Sequence, residues 1–387
     1  MSAPAFAEPL PLPLSPSSDA AWSFAPGAML ADTYRIEKLL AQGGMSDIYE
    51  ATHLRLGRPV AIKVLNAEHA PKDDWRARFG REAVILGKLR HPNVVDVIDV
   101  GEAPDGAPYM VMELIRGVDL RAAVSAGRRF SPGEVASMVR QIASALTAAH
   151  ALGMVHRDLK AENVVLCEAP GQPAVIKVID FGISLWGEGP RLTAERCVFG
   201  TPEYMAPEQA QGQNEQIDGR TDEFSLAVLA FTLLAGRPPF AAESPLAILF
   251  QIVHGAPAAL GPVSGWDATG CEEVLRRGMA ASRDERYATV LDFADALERA
   301  LDSAGVLAAP AATSSGRALA TATVKMRRPR VMRRLLAATA VAGALMVPSA
   351  PRLSGDAVPA VSHVRAKVLS GWTQLAEGVG AFVRVAR

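Results

Sequence analysis

The chain has 387 residues, 49% of them hydrophobic and 21% charged, with a formal net charge of −1. That composition is globular and excludes both wholesale disorder and a global basic field for nucleic acid. The near-zero charge hides an asymmetry: residues 303–387 hold twelve Lys/Arg against two acids, Asp356 and Glu377, so the first 302 residues carry −11. Three scattered cysteines, Cys167, Cys197 and Cys271, lack CxxC spacing. A disulfide framework and a zinc site are therefore not expected, which fits a reducing compartment.

In chain order, residues 1–33 read as a disordered leader, with six prolines in the first 28. No Lys or Arg precedes Arg35, so the charged region of a secretory signal is missing. From Tyr34, short apolar runs such as 60–65 and 109–114 predict strands. A helix is predicted over 73–89. Projected at 100° per residue, its Trp75, Phe79, Glu82, Leu86 and Leu89 fall on one stripe. A carboxylate amid apolar neighbours is costly unless paired. Glu82 is thus expected either to find a cation, with Lys63 at the end of Val60-Ala61-Ile62-Lys63 as candidate, or to reach solvent at the stripe's edge.

Between two strand-like segments lies Leu40-Ala41-Gln42-Gly43-Gly44-Met45-Ser46-Asp47-Ile48. Small residues there let backbone N–H groups approach phosphates, although a plain hairpin turn reads the same way. After Ser131 the periodicity turns helical, and Ser131-Pro132-Gly133-Glu134 resembles a capping box with Pro in the first turn. Two apolar runs, 163–166 and 174–179, flank a Pro/Gly-rich stretch and predict a β-hairpin. His156-Arg157-Asp158-Leu159-Lys160-Ala161-Glu162-Asn163 leads into it, and Asp180-Phe181-Gly182 leaves it. Antiparallel strands bring Asn163 and Asp180 to the same end. An amide oxygen and a carboxylate held together suit a hard cation such as Mg²⁺. Asp158, on the loop feeding that end, is suited to orient a hydroxyl and accept its proton, and Lys160 to neutralise a transferring phosphoryl group. Any one of these charges alone reads as a solvated loop residue; the converging set does not.

Taken in order, these pieces resemble a protein kinase catalytic domain of the bacterial eukaryotic-type serine/threonine class, over residues 34–301. The resemblance implies an α+β, bilobal fold: a small β-rich N-lobe with one key helix and a larger, mainly helical C-lobe. It implies ATP with Mg²⁺, or Mn²⁺, as cofactors and protein Ser/Thr hydroxyls as acceptors. Lys63 is then expected to pair with the ATP phosphates and with Glu82. The 40–48 loop would cover the phosphates, Ile48 and Ala61 would sandwich the adenine, and Met112, Glu113 and Leu114 would form the gatekeeper and hinge. Asp158 would be the catalytic base, Lys160 its charge-stabilising neighbour, and Asn163 and Asp180 the metal ligands. Lys160 in this motif is similar to the serine/threonine rather than the tyrosine class.

Gly200-Thr201-Pro202-Glu203-Tyr204-Met205-Ala206-Pro207-Glu208 resembles the end of the activation segment and its substrate-docking loop. Thr201 would support Asp158 and Lys160, Glu208 would pair with Arg286, and Asp222 would hold the backbone of the His156–Arg157–Asp158 loop. The plain alternative for Glu208, Asp222 and Arg286 is surface ion pairs, worth about 0–1 kcal/mol each. Two positions depart from the family pattern. Ala41 stands at the first glycine of GxGxxG and costs of order 1 kcal/mol if φ > 0 is needed there. Ala227 stands where Gly is usual, with only a packing effect expected. Within 184–199 the phosphorylatable residues are Ser184 and Thr193. Thr193 is the expected autophosphorylation site, with Glu195 a partial phosphate mimic or a solvated loop residue. Cys197 reads as a redox handle or, more simply, a buried filler.

Residues 302–334 form a basic linker in which Lys325, Arg327, Arg328, Arg330, Arg333 and Arg334 precede an uncharged run, 335–351. Its 17 residues stand at the bottom of the ~17–25 needed to span a bilayer. The basic flank favours an inner-membrane anchor with the kinase domain in the cytoplasm, and a solvated linker is the alternative. Residues 352–387 carry Val361, Val364, Val368, Trp372, Leu375, Val379 and Phe382 at helical spacing, an amphipathic tail that either docks on protein or lies on a membrane. The expected activity is phosphoryl transfer in signalling, with protein substrates, a homodimer for autophosphorylation, no nucleic acid, and membrane contact through 325–351. A pseudokinase scaffold, supported by Ala41, and a small-molecule phosphotransferase are the rivals.

Overall fold

The structure, a computed structural model, describes residues 24–43, 46–65, 73–104, 106–181, 202–261 and 266–306, the side chains at 73–78, 81 and 82 excepted. The chain divides into Met1–Met326 and Arg327–Arg387, and the described residues belong to the first unit.

Seven elements build the smaller lobe: β1 (Met29–Leu30), β2 (Tyr34–Gln42), β3 (Ser46–His53), β4 (Arg58–Leu65), α1 (Asp73–Lys88), β5 (Val97–Glu102) and β6 (Pro108–Glu113). The strands form one antiparallel sheet in the order β1-β2-β3-β4-β6-β5. The apolar run of β4, interrupted only by Lys63, is explained by burial on both faces. Val60, Ile62 and Val64 join Tyr34, Ile36, Tyr49 and Val111 in a core of the sheet's own. Ala61 and Leu65 face the other way, into the main core with Phe79, Ala83 and Leu86 of α1 and with Met110 and Met112.

The larger lobe holds β7 (Val118–Asp119), α2 (Leu120–Ser125), α3 (Pro132–His150), β8 (Val164–Cys167), β9 (Val175–Val178), α4 (Pro207–Ala210), α5 (Gly219–Ala235), α6 (Pro245–His254), α7 (Thr269–Gly278) and α8 (Val290–Ser303). The capping box forms: Ser131 Oγ accepts the Glu134 N–H at 3.2 Å, and the Ser131 N–H donates to Glu134 Oε2 at 2.8 Å. Those two bonds satisfy donors that a helix start otherwise leaves open. α5 is buried on every side from Thr221 to Leu233, so it is the pillar around which α3, α7 and α8 pack. It ends at Gly236, whose φ of 67° closes the helix in the left-handed conformation. Ala227 of α5 is accommodated by α7: a Cβ on Gly278 would come within 2.8 Å of the Ala227 Cβ. The extra methyl at 227 is thus matched by a missing one opposite.

Candidate active site

The site is built on the β8–β9 hairpin, whose register pairs Val164 with Val178 and Cys167 with Val175. Asn163 enters and Ile179-Asp180 leaves at one end, locked by an Ile179 N–H to Asn163 C=O bond of 2.8 Å. There Asn163 Nδ2 donates to the Asp158 backbone oxygen at 2.8 Å and to Asp158 Oδ2 at 3.1 Å. Lys160 Nζ reaches the same Oδ2 at 2.6 Å. Lys63 Nζ, from β4, donates to Asp180 Oδ1 at 2.7 Å. Groups 117 residues apart in sequence thus meet because a strand of one lobe and a hairpin of the other face a common cleft.

Charge balance at this end is uneven. Burial pushes the Asp180 carboxyl up, but the Lys63 ammonium outweighs it and holds the group below the usual carboxylate range. Burial pushes the His156 imidazole down, so the ring is neutral; its Nδ1 accepts the Asp158 N–H at 3.3 Å, and its face packs on Phe181 with centroids 4.6 Å apart. Among the described residues, Asp158 Oδ1, Asn163 Oδ1 and Asp180 Oδ2 accept no hydrogen bond, while the partner oxygens of both carboxylates do. Asn163 Oδ1 and Asp180 Oδ2 are hard oxygen donors at one hairpin end, a set that fits Mg²⁺ completed by phosphate and water. No group of three or more His, Cys, Asp or Glu side chains able to hold a metal occurs among the described residues.

The loop backbone is strained where the site needs it. Arg157 (φ 64°) and Asp180 (φ 53°) both adopt left-handed conformations without being glycine, each at a cost of order 1–3 kcal/mol. The Arg157 turn is held by contacts from the helical lobe. Asp222 Oδ2 accepts the His156 N–H and Asp222 Oδ1 the Arg157 N–H, both at 2.8 Å, and His150 Nε2 lies 2.7 Å from Oδ2. Gln209 Nε2 donates to the Arg157 carbonyl at 2.8 Å. Glu208 binds Arg286 through both oxygens, at 3.0 and 2.8 Å, and accepts the Thr221 hydroxyl at 2.8 Å. With side chains 4% and 0% exposed, Glu208 and Arg286 are a core pair, which overturns the surface-ion-pair alternative.

Strand register puts Ala41, Ile48, Ala61, Lys63 and Met112 on one sheet face, since Ala41 opposes Ile48, Ile48 opposes Lys63, and Ala61 opposes Met112. Leu40 and Gln42 lie in β2, and Ser46 opens β3. Gly43 is required by close approach: its N–H bonds Ser46 C=O, and a Cβ would stand 2.8 Å from that oxygen. The expected strain at Ala41 is corrected, because Ala41 sits in the β2 ladder and not at positive φ. Glu113 ends β6 and turns its carboxylate to Lys177 and the Asp96 N–H, and Leu114 packs on the main core. Glu82 lies on α1 with its side chain outside the described set, and Gly44, Met45, Gly182, Ser184, Thr193, Glu195, Cys197 and Thr201 lie outside it too. So do 307–387; among the described residues no helix is long and apolar enough to cross a membrane. His150, Gln209 and Lys177 were not singled out by the sequence; each sits in an ordinary helical or strand pattern that gives no signal.

The protein kinase domain family matches residues 34–262. A probable serine/threonine-protein kinase of Corynebacterium efficiens is 37% identical over 279 residues, covering 70% of this chain and 41% of that protein. Serine/threonine-protein kinase pkn3 of Myxococcus xanthus is 40% identical over 232 residues, covering 59% and 42%. The chain therefore spans about two fifths of the length of these relatives. The crystal structure of the Mycobacterium tuberculosis PknI kinase domain is similar at a TM-score of 0.57 and 30% identity, over 72% of this chain and all of that one. With its bilobal fold and these matches, the chain belongs to the protein kinase family, among the bacterial eukaryotic-type serine/threonine kinases.

Proposed function

We propose that this chain is a protein serine/threonine kinase that transfers the γ-phosphate of ATP to Ser/Thr hydroxyls of proteins. The observation that carries this assignment is the convergence of Lys63, Asp158, Lys160, Asn163 and Asp180 on one hairpin end, with three oxygens left open among the described residues. The serine/threonine kinase names of the relatives support the acceptor class. Asp158 Oδ1 orients the acceptor hydroxyl and takes its proton, while Oδ2 is held by Lys160 and Asn163. Lys160 and Lys63 offset phosphate charge, Lys63 exchanging Asp180 for the nucleotide and Glu82. Asn163 Oδ1 and Asp180 Oδ2 hold Mg²⁺, which when bound neutralises developing charge on the phosphates. The face carrying Ala41, Ile48, Ala61 and Met112 receives the adenine, with the 40–48 loop over the phosphates. Lys63, Asp158, Asn163 and Asp180 are all present, which is the content a scaffold without catalysis would not need.

The test is transfer from labelled ATP with Mg²⁺ by the full chain and its Asp158→Asn variant. Incorporation on Ser/Thr that falls ~10²–10⁴-fold in the variant is expected. A folded wild-type chain without incorporation, or equal incorporation by the variant, contradicts the assignment. Finer proposals travel with it: autophosphorylation of Thr193 between two copies, and membrane attachment through 325–351. Phosphosite mapping and flotation with anionic vesicles check them.

A further inference from the structure

One lysine of β9 that the catalytic assignment leaves unused links the two lobes through its side chain. Lys177, in the middle of β9, donates from Nζ to Glu113 Oε1 at 2.6 Å and to the Val94 carbonyl at 3.2 Å. The same Glu113 oxygen accepts the Asp96 N–H at 2.9 Å, and the Glu113 N–H returns a bond to the Asp96 carbonyl at 2.9 Å. Glu113 is the last residue of β6, the point where the chain leaves the six-stranded sheet for the helical lobe. By register it opposes Val60, so its carboxylate is on the face away from Lys63 and its backbone borders the cleft. Around this ammonium the 91–96 loop is stitched to β9 by backbone: Val95 N–H to Val178 C=O at 3.0 Å and Val178 N–H to Asn93 C=O at 2.8 Å. Three residues further along the same strand direction stands Asp180, bonded to Lys63.

One short strand therefore fixes two things at once: the end of β6 through Lys177, and the phosphate-facing lysine through Asp180. We propose that Lys177 is a positioning residue for nucleotide, holding the 112–114 backbone at a set spacing from Asp180 and Lys63 by clamping the Glu113 carboxylate. The proposal rests on the kinase reading for the identity of the ligand. A bound nucleotide would contact both ends of this spacing, adenine at 112–114 and phosphates at Lys63, whereas the acceptor hydroxyl would meet Asp158 and Lys160, which lie outside it. Loss of the clamp is thus felt in nucleotide affinity and not in acceptor affinity.

The experiment uses the full chain. Dissociation constants for ATP with Mg²⁺ are measured by calorimetry for wild type, Lys177→Met, Lys177→Arg, Glu113→Gln and the Lys177→Met/Glu113→Gln double variant, alongside KM for an acceptor protein. A charge-assisted bond that is partly exposed leads us to expect a roughly tenfold weaker Kd for ATP in Lys177→Met. We also expect recovery in Lys177→Arg, an unchanged acceptor KM, and a double variant no worse than the worse single one. Wild-type ATP affinity in a folded Lys177→Met chain overturns the proposal. So does a variant that loses stability and kcat while keeping its Kd, since that is a structural lysine only. ATP binding without transfer in the wild type overturns the kinase reading alone, and the Lys177→Met Kd still decides the clamp; no ATP binding at all overturns both.

Discussion

Two charged clusters in the helical lobe are built on opposite rules. The Glu208–Arg286 cluster is saturated. Both Glu208 oxygens are bonded, and Arg286 also donates to the carbonyls of Ala280, Ala281 and Arg220 and lies over the Phe224 ring. The Asp158–Asn163–Asp180 cluster is unsaturated: Asp158 and Asp180 keep side chains 39% and 28% exposed, each with one oxygen committed and one open among the described residues. A buried ion pair can persist only if all its bonds are made, so saturation marks the structural site. Open oxygens beside fixed cations mark the site where something else is to bind.

Breaking the saturated cluster gives the largest effect on stability. Arg286→Met leaves Glu208 buried with only the Thr221 hydroxyl of its three side-chain donors, and a loss of about 3–5 kcal/mol is expected. For a domain of this size that is a drop in melting midpoint on the order of 10 °C. Differential scanning calorimetry checks it, and a shift within a degree or two would place Glu208 among ordinary surface acids.

Glu223, beside Asp222 on α5 and within reach of the Arg286 charge, sharpens the comparison because it obeys neither rule. It is fully buried, and among the described residues neither carboxylate oxygen has a hydrogen-bond partner of good geometry; burial outweighs the Arg286 charge and the Tyr287 backbone N–H and pushes its pKa up to about 9. The folded state therefore keeps a proton that the unfolded chain gives up near pH 4.5. Stability from this group is complete below about 4.5 and is lost as pH rises toward about 9. Glu223→Gln should raise neutral-pH stability by roughly 1–3 kcal/mol and flatten the decline between those limits, read from unfolding curves at several pH values. A variant with the wild-type pH dependence would show that Glu223 ionises in the fold.

The open cluster was legible in the sequence because its members are close in sequence around a hairpin. Strand alternation and the turn between 167 and 174 suffice to place Asn163 and Asp180 at one end. The saturated cluster was not legible from the residues themselves: Arg286 is 78 residues from Glu208 and follows Ser282-Arg283-Asp284-Glu285, which reads as exposed loop. Lys177 occupies a position in Val175-Ile176-Lys177-Val178 where a solvated lysine is the ordinary reading. Its partner is supplied by the other lobe. Ala41 misled in the opposite direction, since a missing glycine suggests strain only where φ must be positive, and here Ala41 is paired with Ile48 in β2 without a positive φ.

The central claim is that the open oxygens serve transfer and not the fold. Its most direct test is one preparation of the full chain and its Asp180→Asn variant, compared in melting midpoint and in phosphate transfer from labelled ATP. Asn keeps the acceptor to Lys63 and removes the charge at the metal position. A midpoint close to wild type together with transfer reduced ~10²-fold or more is the predicted result. Transfer at the wild-type rate, or a collapse of the fold with activity surviving in proportion to the folded fraction, would contradict it.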